Sequence, residues 1–173
     1  MYGKEHEKDA IDQLSKDCNI SILEAKKVVP KSFKWLVCIP DGITEEKDTI
    51  VEVKCPFKCL NESLENVAEI DENFCLEITG DGELSLRKDH DYFYQVQGML
   101  NIMEVDVCYF AVWTPSQFHH EVIHRDTQLW DEIMFPKLLD FYRVHLLDNK
   151  WNVPDVDEDA MEAGKIKILE DLR

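Results

Sequence analysis

The sequence predicts an α/β fold, a mixed central β-sheet flanked by helices. Three observations predict it. Apolar residues recur at helical spacing over residues 3–17, 92–103 and 126–147. β-Branched and aromatic runs of strand length occupy 49–53, 107–113 and 118–124. The 173 residues are 45% hydrophobic, enough for one buried core, which excludes an acidic disordered chain.

The elements follow in order. Ala10, Ile11 and Leu14 form the apolar stripe of a first helix over 3–17. Residues 19–29 are mixed and read as a strand or a short helix. The apolar run Trp35 to Ile39 is closed by Pro40-Asp41-Gly42, a turn signal. Thr49 to Val53 alternates apolar with polar side chains, so 41–54 reads as strand, turn, strand. Asn61 to Ile70 has helical spacing. Phe74–Ile78 and Glu83–Leu86 flank Thr79-Gly80-Asp81-Gly82, a hairpin signal. Tyr92 to Met103 is a helix with His90 in its cap region. Val107–Trp113 and Phe118–His124 are two strands joined at Thr114-Pro115-Ser116. A long helix over 126–147 turns Trp130, Ile133, Met134, Leu138, Phe141, Tyr142 and Leu146 inward, with Pro136 kinking or splitting it. The acid-rich stretch from Pro154 reads as a loosely docked helix. The organisation expected is one domain over 1–150 and an acidic C-terminal tail over 151–173.

Composition limits the function classes. No apolar run is long enough for a membrane-spanning helix, and Met1 to Glu7 has no apolar signal-peptide region. An intracellular protein of cytoplasm or nucleus, with reduced thiols, is expected. Cys38, Cys75 and Cys108 lie in apolar runs and read as core residues. Cys55 and Cys59 have metal-like spacing without a second Cys/His pair, so a structural zinc is not expected. The net charge of −17 argues against gripping nucleic acid with a broad basic surface. Positive charge is local: Lys26, Lys27, Lys31 and Lys34 precede Pro40, Lys54 and Lys58 follow it, and Arg87-Lys88 closes the later hairpin. These residues are expected to line one rim of a cleft.

The chemistry-bearing stretch is Pro40-Asp41-Gly42 with Glu52-Val53-Lys54 ten residues on. In a strand, residues i and i+2 share a face, so Glu52 and Lys54 project together while Val53 points into the core. The apolar run Trp35–Ile39 reads as a preceding strand, and Asp41, at the turn that ends it, is placed opposite Glu52. Two carboxylates from paired strands suit Mg²⁺ or Mn²⁺, with the Val53 carbonyl as a further oxygen. A lysine beside such a site holds an attacking water and offsets charge on a phosphorane-like transition state. The competing reading is an ordinary Asp-Gly turn beside a solvated Glu-x-Lys strand face. His119, His120 and His124 form the histidine cluster, with His120 and His124 on one face; hydrogen-bonded or exposed side chains are expected there rather than a metal site.

Pro-Asp followed by Glu-x-Lys resembles the signature of the PD-(D/E)xK nuclease superfamily. The words "IPDGI", "VEVKCPF", "DYFYQVQGMLNI" and "CYFAVWTP", with "YGKEHEKDAIDQL" at the start, resemble the lambda-exonuclease branch, the YqaJ viral recombinase family. The resemblance runs from Gly3 to about His145. It implies a restriction-endonuclease-like core and a Mg²⁺-dependent deoxyribonuclease, Mn²⁺ being possible, with two bound ions. It implies exonuclease action at double-stranded DNA ends with 5′-phosphate products, in viral or mobile-element recombination. By the same resemblance Glu7, Asp41, Glu52 and the Val53 carbonyl hold metal; Asp41, Glu52, Lys54 and Gln97 are catalytic, Gln97 being the family's active-site glutamine; and Tyr94, Gln95 and Lys58 contact DNA. A homotrimer is implied, and no membrane partner. Family members usually carry an earlier segment with an arginine-bearing helix, which is expected to be missing before Gly3. The alternative is a catalytically silent DNA-end-binding or partner-binding domain derived from such a nuclease.

Overall fold

The computed structural model describes residues 2–147; the expected boundary at residue 150 and the acidic tail over 151–173 lie outside the described residues. Helix α1 (Tyr2–Cys18) leads to the short strand β1 (Ile22–Leu23). Strands β2 (Gly42–Thr44) and β3 (Thr49–Lys54) form a hairpin, followed by a 3₁₀ turn at Phe57–Cys59 and helix α2 (Leu64–Ile70). A second hairpin pairs β4 (Leu76–Ile78) with β5 (Leu84–Leu86). Helix α3 (Asp91–Met103) then leads to β6 (Val107–Trp113) and β7 (Phe118–His124). The main sheet has the order β1-β2-β3-β6-β7, and only β3 with β6 is parallel. It is the mixed sheet flanked by helices that the sequence predicts.

Strand β3 sits mid-sheet and is covered on both faces, because a parallel pair needs a crossover that returns over the sheet. Val51 and Val53 pack with Ala10 and Leu14 of α1 and with Ala111. Ile50 joins the opposite core with Val96, Leu100, Cys108 and Phe110. Cys38, Cys75 and Cys108 are buried, as their apolar runs predict. Ser63 caps α2 by accepting from Asn66 N at 3.0 Å, and His90 caps α3 by accepting from Tyr92 N at 3.1 Å.

Three local expectations need correction. The run Trp35–Ile39 is not a strand. Pro30 and Pro40 have no N–H to donate, and the segment is pinned by a single bridge between Val28 and Cys38. It packs by its side chains instead: Trp35 stacks on buried Tyr142 at 4.6 Å and 14°. The hairpin turn is therefore 45–48, and Asp41 precedes β2 rather than ending a strand before it. In the C-terminal helical run, α4 (Thr127–Leu129) and α5 (Phe135–Phe141) alternate with π turns at Trp130–Met134 and Tyr142–Leu147. Each widened turn rotates the residues after it. Ile133 and Phe141 consequently face solvent, while Phe135 and Tyr142 are buried.

Candidate active site

The end of β3 gathers the charged residues. Asp41 lies beside it because Gly42 pairs with Val51, and an Asp41 Oδ2 accepts from Val53 N at 2.8 Å. Glu52 and Lys54 share the face that looks toward α3, as the two-residue period requires. Lys54 Nζ donates to Glu52 Oε1 at 2.5 Å and to Gln95 Oε1 at 3.1 Å, and Gln95 Nε2 donates to Glu52 Oε1 at 2.7 Å. The three side chains close a triangle. The Lys54 ammonium also sits 4.5 Å from the centre of the Tyr92 ring, a cation–π contact.

Glu52 is 2% exposed, and its Oε2 is buried without a hydrogen-bond partner. Burial raises its carboxyl to about 7, helped by the Asp41 charge and opposed by Lys54. The Asp41 carboxyl is also pushed up by burial, against the Val53 N–H and Lys54. Glu7, on α1, is raised by burial and then by the Asp41 charge. A cavity of about 330 Å³ opens over this cluster, with Glu7, Asp41, Val53, Lys54, Lys58 and Tyr92 among its walls.

A buried carboxylate oxygen without a donor is costly unless something positive meets it. Asp41 and Glu52 supply hard oxygens, and Mg²⁺ uses one or two carboxylates together with water and phosphate oxygens. The residues therefore fit a divalent ion. Among the described residues no three Asp, Glu, His or Cys side chains come together tightly enough to hold an ion by themselves. The donor set is a carboxylate pair, with Glu7 on the same cavity.

The structure brings Glu7, Asp41, Glu52, Val53, Lys54, Lys58 and Gln95 to this end of β3. Lys58 pairs with Asp71 at 2.6 Å and lies 4.8 Å from the Phe74 ring centre. Gln97 is not brought there. It is 1% exposed, donates to the His124 carbonyl at 2.8 Å and accepts from Asp126 N at 2.8 Å. Residues two apart on a helix stand about 200° around it, so Gln95 and Gln97 cannot face the same site. Gln95 occupies the place the sequence reading gave to Gln97. Tyr94 is exposed and packs edge-on against Phe93 at 6.1 Å. Sequence reasoning missed the contact of Tyr92 with Lys54; the i, i+3 spacing of Tyr92 and Gln95 is the signal that finds it. The expected basic rim assembles only in part: Lys54 and Lys58 line this cavity, whereas Lys31 and Lys88 line two others. His119 bonds Glu121 at 3.3 Å, and His120 lies 4.0 Å from Cys18 Sγ.

A family model described as the YqaJ-like viral recombinase domain matches residues 1–106. The chain belongs to this family. The YqaJ-like match ends immediately before β6. Among solved structures, the chain is similar to an alkaline exonuclease (LHK-Exo) from Laribacter hongkongensis, with TM-score 0.61 and 18% identity over 97% of this chain and 73% of that one. The same enzyme in complex with dAMP matches with TM-score 0.59 and 18% identity over 97% and 72%. A phage-related exonuclease from Haemophilus somnus 129PT matches with TM-score 0.53 and 16% identity over 76% and 63%. These likenesses establish a shared fold. No curated protein matches the chain by sequence. No described helix is long and apolar enough to cross a membrane.

Proposed function

We propose that this YqaJ-like domain is a divalent-metal-dependent DNA exonuclease that hydrolyses phosphodiesters at double-stranded ends and leaves 5′ phosphates. The observation that carries the reading is the Glu52–Lys54–Gln95 triangle beside Asp41, with Glu52 Oε2 lacking a donor. The family membership and the exonuclease fold of its structural neighbours support it. Recombination of viral or mobile-element DNA is the process this reading implies, and a trimer its assembly.

Asp41 and Glu52 would hold Mg²⁺ or Mn²⁺, with Glu7 and the Val53 carbonyl as further oxygens. When bound, two such ions polarise a phosphate and balance its charge. Lys54 orients the attacking water and places a positive charge beside the phosphorus as negative charge builds on its oxygens. Gln95 and the Tyr92 ring hold the Lys54 side chain in place. Phosphorus–oxygen cleavage on the 3′ side of the bond releases the 3′ oxygen and leaves the phosphate on the 5′ carbon.

The second reading, a silent DNA-end-binding domain, draws on the absence among the described residues of a three-acid cluster. Linear duplex DNA incubated with Mg²⁺ separates the two. Wild type is expected to digest it, and Lys54→Ala to lose at least about a hundredfold in rate. Intact DNA that stays bound to wild type favours the silent domain; equal digestion by both proteins removes Lys54 from the mechanism.

A further inference from the structure

Beside the cavity a large apolar ring stands in water. Phe57 is 68% exposed and follows Lys54 by three residues. A lone exposed phenylalanine is ordinary. Phe57 is not alone: the Tyr2 ring meets it at 5.4 Å and 77°. Tyr2 lies 4.4 Å from the His6 ring, which stacks on Trp113 at 5.2 Å and 22°. Rings from α1, the 3₁₀ turn and the end of β6 thus form one continuous row. The row borders the cavity, because Gly3, Pro56 and Lys58, the chain neighbours of Tyr2 and Phe57, are among its walls.

The backbone under Phe57 is fixed. Cys59 is fully buried, Cys59 N donates to the Pro56 carbonyl at 3.2 Å, and Leu60 N donates to the Phe57 carbonyl at 3.2 Å. The Tyr2 hydroxyl is buried without a hydrogen-bond partner on the same side of the molecule. An exposed ring on a hydrogen-bonded turn, beside a cavity of about 330 Å³, offers a π-face to a group that itself has one. Stacking of this kind tolerates every base, since each presents a flat face.

We propose that Phe57, backed by Tyr2, is the stacking platform for the nucleobase of the nucleotide whose phosphate enters the cavity. The proposal rests on the nuclease reading above.

The test compares duplexes whose terminal nucleotides carry bases with duplexes whose terminal nucleotides are abasic, cleaved by wild type, Phe57→Ala and Phe57→Trp in Mg²⁺. Wild type is expected to favour base-bearing ends by roughly five- to a hundredfold. Phe57→Ala is expected to abolish that preference, and Phe57→Trp to keep it. An undiminished preference in Phe57→Ala overturns the platform. If wild type cleaves neither substrate, the nuclease reading fails, and a binding measurement decides the platform separately. With Ca²⁺ present, DNA ending in 2-aminopurine should lose fluorescence on wild type and less on Phe57→Ala. Equal quenching by the two proteins, or no binding by wild type, overturns it.

Discussion

The Glu52 carboxyl, held at about 7 by burial, ionises near its ordinary value of 4.5 once the chain unfolds. Between those two values the folded protein keeps a proton that the unfolded chain has released. Its stability therefore falls as pH rises from about 4.5 to about 7, and beyond that this group adds no further slope. Asp41 and Glu7 are displaced in the same direction. Melting temperatures of metal-free wild type should drop across that window in EDTA, and Glu52→Gln should flatten part of the drop. A wild-type melting temperature that rises across the window contradicts this account. Asp41, Glu52 and Lys54 were legible in the sequence because the two-residue period of a strand fixes which side chains travel together. The choice between Gln95 and Gln97 was not. Both occur in a helical repeat of apolar residues, and only packing of Val96, Met99 and Leu100 into the core decides which glutamine turns toward β3.

At the level of elements, Gly42 sets the spacing of the site. A methyl group there would lie 2.6 Å from Ile22 Cγ2 and 3.4 Å from Val51 Cβ. Gly42→Ala is expected to destabilise by about 1–3 kcal/mol in urea unfolding and to lower activity by moving neighbouring Asp41. Unchanged unfolding would mean that β1 yields freely. The second hairpin depends on Glu121 of β7. One of its oxygens accepts from Leu86 N at 2.5 Å and the other from Ser85 Oγ at 3.2 Å. Burial pushes the Glu121 carboxyl up, but these bonds and the one from His119 bring it below its ordinary value. Helices α1 and α3 and strands β3, β6 and β7 were legible from period alone. The Trp35–Ile39 run was not, because apolar content does not distinguish pairing through the backbone from packing through side chains. Pro136 signals that the long helix is interrupted, but a straight helical count does not show that the interruption takes the form of π turns on either side of α5.

For the whole molecule, the charge of −17 acquires a location-dependent meaning. Lys54, the most central cation of the site, is committed to Glu52, and Lys58 to Asp71. Little positive charge is left over at the cavity for phosphates. Under the metal-dependent reading, DNA binding should be weak in EDTA and strengthen when Ca²⁺ replaces the catalytic ion. Fluorescence anisotropy of a labelled duplex measures this; tight binding in EDTA would assign the affinity to the protein surface instead. The fold class was legible at this scale because alternating periods of 3.6 and 2 leave few ways to layer helices on a sheet.

The parallel pairing of β3 with β6 sets a timetable for the site. Glu52 lies opposite Phe110, and α2, the second hairpin and α3 all emerge from the ribosome between them. Pairings so distant along the chain form late, after the intervening loop has closed. The nascent polypeptide pairs β2 with β3 locally, which sets Asp41 beside Val53, but Glu52 gains its neighbour Phe110 only when β6 follows. A transcript cut short of Val107 therefore encodes the family's recognisable sequence without the strand that pairs beside Glu52 and closes the sheet over it.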